Sequence, residues 1–312
     1  MISRRNFIQK SALASTLVAL PSFDLLAKTQ IKKITILHTN DQHSRIEPFE
    51  SSNDERYSNK GGFSRRAALI DRIRAQEENV LLLDAGDIFQ GTPYFNFYGG
   101  ELEFKLMSKM GYDLATIGNH DFDNGLAGLK KQLVHADFDF ITANYDFSNT
   151  ILEGQFNPYK IIRKKGIKIG VFGLGIELAG LVGKEYYDET QYLDPVEIAQ
   201  DMTRELKEKN CDLIICLSHL GYDYGNEVNK ISDVQLAKKT KDIDLIIGGH
   251  THTFLKAPTE ILNIDNKPVV INQVGWAGLY LGRIDFYLDP FTGQKKYSSQ
   301  KLEIDDKSFN NI

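Results

Sequence analysis

The 312-residue sequence has little cysteine, no excess of basic residues and, beyond its first 30 residues, no long apolar run. Acidic residues outnumber basic ones, 42 against 37, and the formal net charge is −5. Nucleic-acid binding by phosphate neutralisation needs a basic surface, so this balance argues against a nucleic-acid partner. A permanent span of a bilayer needs about 20 apolar residues. We therefore expect no permanent membrane anchor.

The first 30 residues read as a segment outside the fold. Arg4 and Arg5 precede an apolar stretch at residues 12–20, and a polar, small-residue region follows at 22–27. This order is typical of an export signal, and the paired arginines favour the twin-arginine route. We expect a signal peptide over residues 1–27 and a periplasmic or extracellular mature chain. A frayed amphipathic N-terminal helix is the alternative.

The two cysteines, Cys211 and Cys216, both fall in the run CDLIICLSH. A pair of cysteines in an exported protein invites a disulfide interpretation. Here they lie five residues apart on one strand-like run, which directs their side chains to opposite faces. We interpret them as small buried apolar residues, without a bridge between them.

After the N-terminal segment, short apolar runs alternate with helix-like stretches. The runs lie at residues 34–37, 80–83, 114–117, 140–143, 167–174, 213–217, 245–247 and 269–272. Several are continuous, as expected for strands covered on both faces. The helix-like stretches lie at 62–77, 101–110, 125–135, 195–209 and 232–241, and a strand hairpin follows at 280–288 and 294–304. The alternation predicts one α/β domain over residues 31–305.

Polar side chains follow five of these strand-like runs directly. They are Asp41 and His43 in HTNDQH, Asp87 in LLLDAGDIFQG, Asn119 in TIGNHDFDNG, His219 in LIICLSH, and His250 and His252 in LIIGGHTH. Loops at the carboxyl ends of strands converge on the ligand crevice of an open α/β sheet. Five separate segments are therefore expected to bring imidazole, carboxylate and amide groups to one place.

These side chains offer nitrogen and oxygen ligands and no thiolate. Such a set suits Mn, Zn, Fe, Co or Mg and argues against a structural cysteine-zinc site. Seven candidate ligands are too many for one ion, and a bridging carboxylate would divide them into two sites of four. Each motif alone has an ordinary alternative, such as a helix cap, an Asn-centred turn or a glycine turn. Their joint occurrence at strand ends favours a metal site.

The ordered motifs HTNDQH, GDIFQG, GNHDFDNG, LSHLG and GGHTH resemble those of the calcineurin-like metallophosphoesterases, in particular the bacterial 5'-nucleotidase branch. The resemblance covers about residues 34–304. It implies the metallo-dependent phosphatase fold, a four-layer α/β/β/α sandwich of two mixed sheets flanked by helices. It also implies two metal positions. One takes Asp41, His43, Asp87 and His252, and the other takes Asp87, Asn119, His219 and His250, with Asp87 bridging.

The same resemblance implies an activity. His120 and Asp123 would form a catalytic dyad, and a metal-activated hydroxide would attack the phosphorus of a phosphate ester, with 5'-nucleotides as the expected substrates and nucleotide catabolism as the context. Asp121 stands where Glu is common in the family, outside the expected ligand set. We expect no C-terminal nucleotide-binding domain.

Two kinds of alternative remain open from the sequence. The first is another hydrolase of the same fold, acting on phosphodiesters, nucleotide-sugar pyrophosphates or thiosulfate esters. The second is a catalytic subunit that is silent until a separate chain, a C-terminal-domain protein, supplies the substrate-binding surface. The aromatic segment at residues 92–98 could stack a base beside the site, or form ordinary core or the start of a helix.

Overall fold

A computed structural model describes residues 31–227 and 230–306. The expected signal peptide at 1–27 lies outside the described residues. The strands are β1 Lys32–Thr39, β2 Val80–Asp84, β3 Leu114–Ala115, β4 Asp139–Phe140, β5 Tyr145–Asp146, β6 Tyr159–Lys164, β7 Ile167–Leu174, β8 Gln191–Tyr192, β9 Leu213–Ser218, β10 Leu245–Gly248, β11 Thr259–Leu262, β12 Pro268–Asn272, β13 Tyr280–Leu288 and β14 Lys295–Glu303. The helices are α1 Phe63–Gln76, α2 Pro93–Tyr98, α3 Glu101–Met110, α4 Gly125–Leu133, α5 Lys184–Tyr187, α6 Pro195–Glu208 and α7 Asp233–Lys239.

Two six-stranded sheets organise these elements. The first has the order β14-β13-β1-β2-β3-β4, and the second has the order β11-β12-β10-β9-β7-β6. Strands β1 to β4 pair in parallel in the first sheet, as do β12, β10, β9 and β7 in the second. The parallel strands of each sheet therefore end at one edge, which is where the candidate ligands follow them.

Helix boundaries follow local chemistry. The carboxylate of Asp194 caps α6 by accepting from the backbone N–H groups of Val196 at 2.8 Å and Glu197 at 2.9 Å. Pro195 occupies the first turn, where its missing N–H costs nothing. The predicted start of this helix is confirmed. Helix α3 ends at Gly111, whose φ of 70° gives the left-handed C-terminal turn that glycine adopts without strain.

Apolar side chains fill the layers between helices and sheets. One cluster joins α1 and α3 to the first sheet through residues such as Ile70, Phe104 and Leu82. A second joins α6 and α7 to the second sheet. Between the sheets, the amide of Asn272 on β12 lies 2.8 Å from Nε2 of His38 on β1. This arrangement confirms the predicted α/β architecture of two sheets flanked by helices.

Some expectations needed correction. The runs at 114–117 and 140–143 form only the two-residue strands β3 and β4, because their remaining residues lie in loops, of which the one after β3 carries Asn119. Strands β6 and β11 were not predicted, since both lie at sheet edges and have only partly buried or exposed residues.

Both cysteines are buried and free, as expected. Among residues 31–227 and 230–306, no helix has the length and apolar character to cross a membrane.

The chain divides into two compact units. The larger, residues 34–286 and 297–306 of the described part, contains every candidate site residue. The smaller contains residues 31–33 and 287–296. Within the smaller unit, the backbone N–H of Asp289 donates to the carbonyl of Gln294 at 3.0 Å and closes the predicted turn.

Candidate metal centre

The seven candidate ligands meet at the carboxyl ends of parallel strands. Asp41 and His43 follow β1, and Asp87 follows β2, while His219 follows β9. The loops after β3 and β10 supply the other three, Asn119, His250 and His252. Six of the seven fall into two groups whose ligand atoms lie within 4.8 Å of one another, Asp41 with His43 and His252, and Asp87 with His219 and His250.

The first group has three converging ligand atoms. Nε2 of His43 lies 2.9 Å from Nε2 of His252. Nε2 of His252 lies 3.5 Å from Oδ1 of Asp41. Asp41 is fully buried, and its other oxygen accepts from the amide of Asn40 at 2.5 Å. Two imidazole nitrogens and a buried carboxylate oxygen suit a borderline divalent cation.

The second group contains Asp87 and reaches toward the first. Oδ2 of Asp87 lies 3.0 Å from Nε2 of His219 and 3.9 Å from Nε2 of His43. Nδ1 of His250 lies 2.8 Å from Oδ1 of Asn119, which brings the seventh candidate ligand to this group. Asp87 is thus within reach of both groups, the placement that a bridging carboxylate needs. The bridging role and the division of ligands stay predictions.

The surroundings of the buried atom Nε2 of His219 show whether these side chains suit a bound cation. Nδ1 of His219 lies 2.7 Å from the carbonyl of Ala85, which fixes Nδ1 as the donor in the neutral ring. Nε2 is buried and, despite its 3.0 Å approach to Asp87, has no aligned hydrogen-bond partner among the described residues. Burial lowers the pKa of His219, but Asp87 and Asp41 outweigh it and raise the pKa to about 10. A cation would replace that proton, so the residues fit a metal.

Other charges at the site agree with this fit. Burial would raise the pKa of Asp87, but the imidazoles of His219 and His43 hold it well below its usual value. Burial lowers the pKa of His43, and it also lowers the pKa of His250, to about 4. Both imidazoles are therefore neutral near pH 7, which is the form that binds metal.

The backbone is strained where it presents the ligands. Asp41, His43, Asp87, His250 and His252 all have φ between 47° and 70°, the left-handed region that non-glycine residues rarely adopt. Such strain persists only where the surrounding structure enforces it, and it concentrates at functional sites. A Cβ on Gly86, where φ is 88°, would lie 2.6 Å from the backbone nitrogen of Gly118. Gly86 therefore lets two ligand loops approach closely.

Comparison with known proteins identifies the family. A sequence model of the calcineurin-like phosphoesterases matches residues 34–254, which include all seven candidate ligands. The chain belongs to the calcineurin-like phosphoesterase family. It is 35% identical to a 5'-nucleotidase of Vibrio cholerae over 312 residues, covering 91% of this chain and 55% of that protein. It is 34% identical to a snake venom 5'-nucleotidase of Crotalus adamanteus, covering 82% of this chain and 45% of that protein.

A solved structure agrees with this family assignment. The structure of a 5'-nucleotidase precursor from Thermus thermophilus superposes with a TM-score of 0.80 at 34% identity, covering 89% of this chain and 55% of that one. The predicted resemblance is thus confirmed. The chain spans about half the length of these relatives.

The predicted dyad lies beside the ligand groups of this calcineurin-like centre. Nδ1 of His120 lies 2.9 Å from Oδ2 of Asp123. The His120 ring centroid is 5.3 Å from that of His43, and the backbone N–H of His120 donates to Oδ1 of Asp87 at 2.8 Å. The hydrogen bond with Asp123 raises the pKa of His120, while burial opposes this. The arrangement favours a protonated His120 that can donate toward the site. Its catalytic role stays a prediction.

The sequence analysis placed Asp121 outside the ligand set but did not predict its structural role. Asp121, adjacent to the dyad, is fully buried, and its carboxylate accepts from four backbone N–H groups. The donors are Asp87 at 3.1 Å, Ile88 at 2.9 Å, Phe89 at 3.1 Å and Gly118 at 2.8 Å. Asp121 therefore joins the loop that carries Asp87 to the loop that carries Asn119. An acid adjacent to a candidate catalytic histidine was the available signal.

The acid that precedes Asp87 in the motif has a supporting role. Asp84 is buried and accepts from the backbone N–H of Gly86 at 2.9 Å and from the side chain of Gln42 at 2.7 Å. Gln42 stands between Asp41 and His43. Asp84 thus connects the loop that carries Asp87 to the loop that carries Asp41 and His43, and it lies in neither ligand group.

Proposed function

We propose that this chain is a metal-dependent hydrolase of phosphate esters, with 5'-nucleotides as its main substrate class. The observation that supports this most strongly is the junction of two ligand groups at Asp87, whose Oδ2 lies 3.0 Å from His219 and 3.9 Å from His43. Two divalent ions, when bound, would supply positive charge for phosphate oxygens and would lower the pKa of an attacking water. The relatives described as 5'-nucleotidases favour nucleotides.

The residues of the chain divide the work in this proposal. Asp41, His43 and His252 would hold one ion, and His219, His250 and Asn119 the other, while Asp87 would touch both. His120, held by Asp123, would donate a hydrogen bond to the phosphate and a proton to the leaving oxygen. Ions of Mn, Zn, Fe, Co or Mg all suit this donor set.

The experiment is a substrate panel with the purified full chain loaded with Mn²⁺. We expect turnover of nucleoside 5'-monophosphates to exceed that of bis(p-nitrophenyl) phosphate, a nucleotide-sugar and a thiosulfate ester. Asp87→Asn, which keeps size but removes charge, is the matched control and should be inactive. Metal binding without hydrolysis of any phosphate ester would contradict the proposal.

A second candidate function is that of a catalytic chain that stays silent until a separate protein supplies part of the substrate-binding surface. The chain matches about half the length of its curated relatives, so the comparison with them covers only that part of the 5'-nucleotidases. The same Mn²⁺-loaded chain, silent alone but active after addition of a separately expressed substrate-binding protein, would support this version. Robust turnover by the chain alone would exclude it.

Export is a proposal of its own. Paired Arg4 and Arg5 ahead of the apolar residues 12–20 favour twin-arginine export to the periplasm or the extracellular space. A double substitution of Arg4→Lys with Arg5→Lys keeps the charge and should retain the precursor inside the cell. Fractionation and mass measurement of the exported chain would show whether residues 1–27 are removed. Unchanged export of the lysine variant would contradict the twin-arginine route.

A further inference from the structure

The single tryptophan of the chain, Trp276, stacks on one of the proposed metal ligands. Its ring centroid lies 5.6 Å from that of His252, and the two ring planes differ by 7°. The side chain of His252 is 38% exposed, whereas those of Asp41 and His219 are fully buried. The indole thus covers one face of a ligand histidine that is more exposed than His43 and His219.

Other aromatic rings hold Trp276 in place. Phe49 and Tyr57, from the loop between β1 and α1, meet the indole edge to face at centroid distances of 6.1 Å and 6.2 Å. The two rings also contact each other at 5.2 Å, and the guanidinium of Arg45 lies 4.3 Å from the Phe49 ring. Edge-to-face contacts at these distances are attractive. The orientation of the indole is therefore set by a packed cluster.

The backbone around Trp276 is tied to both strand-end segments of the first ligand group. The N–H of Ala277 donates to the carbonyl of Asp41 at 2.7 Å. The N–H of Gly275 donates to the carbonyl of Thr253, the neighbour of His252, at 3.0 Å. Trp276 lies between these two hydrogen-bonded residues, so its backbone position is fixed relative to the ligand segments on either side.

His252 differs from His43 and His219 in the contacts that orient its ring. A metal-binding histidine usually donates its second ring N–H to an acceptor, which fixes the ring plane. Nδ1 of His43 lies 3.3 Å from the carbonyl of Phe89, and Nδ1 of His219 lies 2.7 Å from the carbonyl of Ala85. Within residues 31–227 and 230–306, Nδ1 of His252 has no hydrogen-bond acceptor. The ring of His252 is instead held by the stacked indole on one face and by the ring of His43, whose centroid lies 4.9 Å away.

We propose that Trp276 is a positioning residue that fixes the imidazole plane of His252 and so sets the affinity of one cation position. That position is the one built from Asp41, His43 and His252. The inference rests on the proposed two-ion centre, and it adds that only one of the two cation positions depends on the indole. The indole stacks on His252 and meets His43 edge to face at 6.3 Å, and both histidines belong to this position. We therefore expect the position built around His219 and His250 to be unaffected by its removal.

The test compares Trp276→Leu with Trp276→Phe by calorimetric titration of the metal-free full chain with Mn²⁺. Leucine fills space without a ring that can stack, whereas phenylalanine keeps one. We expect Trp276→Leu to weaken one of two binding steps by about 10–100-fold, the usual effect of losing a group that orients a ligand. Trp276→Phe should restore most of that affinity, and Tyr297→Ala, a half-buried aromatic residue outside the site, should change neither step.

The outcomes separate this inference from the proposed function. A wild-type chain that fails to bind two Mn²⁺ ions would overturn both. A wild-type chain that binds two ions, together with leucine and phenylalanine variants of equal affinity or with equal weakening of both steps, would overturn the positioning role alone. Should Trp276→Leu not fold, Phe49→Ala removes one support of the indole, and selective weakening of the same step is then the expected result. Unchanged binding in that folded variant would contradict the inference.

Discussion

Nε2 of His43 lies 2.9 Å from Nε2 of His252, although 209 positions separate the two residues in the sequence. Burial lowers the pKa of His43, so its ring is neutral at pH 7 and can offer a lone pair. A cation bound at this point would gain the two ring nitrogens and an oxygen of Asp41 as three ligands. We therefore expect the pair to act as one functional unit.

The sharing of one cation by His43 and His252 gives the first prediction. His43→Ala and His252→Ala should each abolish the same Mn²⁺ binding step, and the double variant should lose no more than either single variant. Coupled ligands are non-additive because removal of one leaves the other without its shared cation. Titration of the three variants measures this. Additive losses would show that the two rings do not share an ion.

The dyad gives the second prediction. His120→Ala should bind both ions yet lose about 10²–10⁴-fold in kcat, the usual contribution of a positioned acid. Asp87→Ala should lose metal as well as turnover, because Asp87 lies within reach of both ligand groups. Metal content and kcat are measured on the same samples. Equal metal loss in the two variants would contradict the assigned roles.

Asp121 gives the third prediction. Asp121→Ala leaves four buried N–H donors without an acceptor, and each unsatisfied donor costs about 1–3 kcal/mol before relaxation or water entry. We expect a large loss of unfolding free energy and weaker metal binding. Asp121→Asn keeps one carbonyl oxygen and should lose less in both respects. Urea unfolding of the metal-free chains measures the difference, and wild-type stability in the alanine variant would refute the role.

His38 gives a pH-dependent prediction. Burial lowers its pKa to about 3, from an ordinary value of 6.5. The unfolded chain therefore binds a proton as the pH falls through 6.5, while the folded chain stays neutral until about 3. The free energy of unfolding must therefore decrease as the pH is lowered across this window. From this group alone the decrease is about 2 kcal/mol between pH 7 and pH 5.

The matched variant for this prediction is His38→Gln, which can still accept from Asn272. Its unfolding free energy, measured in chelator to exclude metal release, should depend less steeply on pH between 5 and 6.5. An unchanged slope would show that His38 does not titrate as described.

The exposed ring of Phe97 gives a fifth prediction. Helix α2 confirms the helix-start alternative for this segment, and it buries Phe95 but leaves Phe97 81% and Tyr98 53% exposed. Its first turn lies beside the loop that carries His43, since the hydroxyl of Thr92 donates to the carbonyl of Ser44 at 2.6 Å. Stacking on a base stays a prediction. We expect Phe97→Ala to raise KM for a nucleoside monophosphate but not for glycerol phosphate, which has no ring to stack. Equal changes for both substrates would exclude a stacking role.

The placement of the ligands was predictable because it depends on strand ends. Parallel strands of one sheet finish at one edge. Asp41 and Asp87, after β1 and β2, therefore had to approach each other in the first sheet, as did His219 and His250, after β9 and β10, in the second, once the apolar runs were recognised as strands. Helix α6 was predictable for a similar reason, because Asp194 and Pro195 are local signals.

Long-range packing could not be predicted in this way. The stack of Trp276 on His252 depends on two loops meeting, and neither loop has a periodic pattern. The four donors of Asp121 are backbone groups, which carry no sequence signal. Strands β6 and β11 have partly exposed residues, so their pattern resembles that of loops.

The most direct test of the two-ion centre is anomalous diffraction from crystals of the full chain grown with Mn²⁺. The account predicts two peaks about 3.5–4 Å apart, one beside Asp41, His43 and His252 and the other beside His219, His250 and Asn119, with Asp87 touching both. A single peak, or none at these side chains, would contradict it.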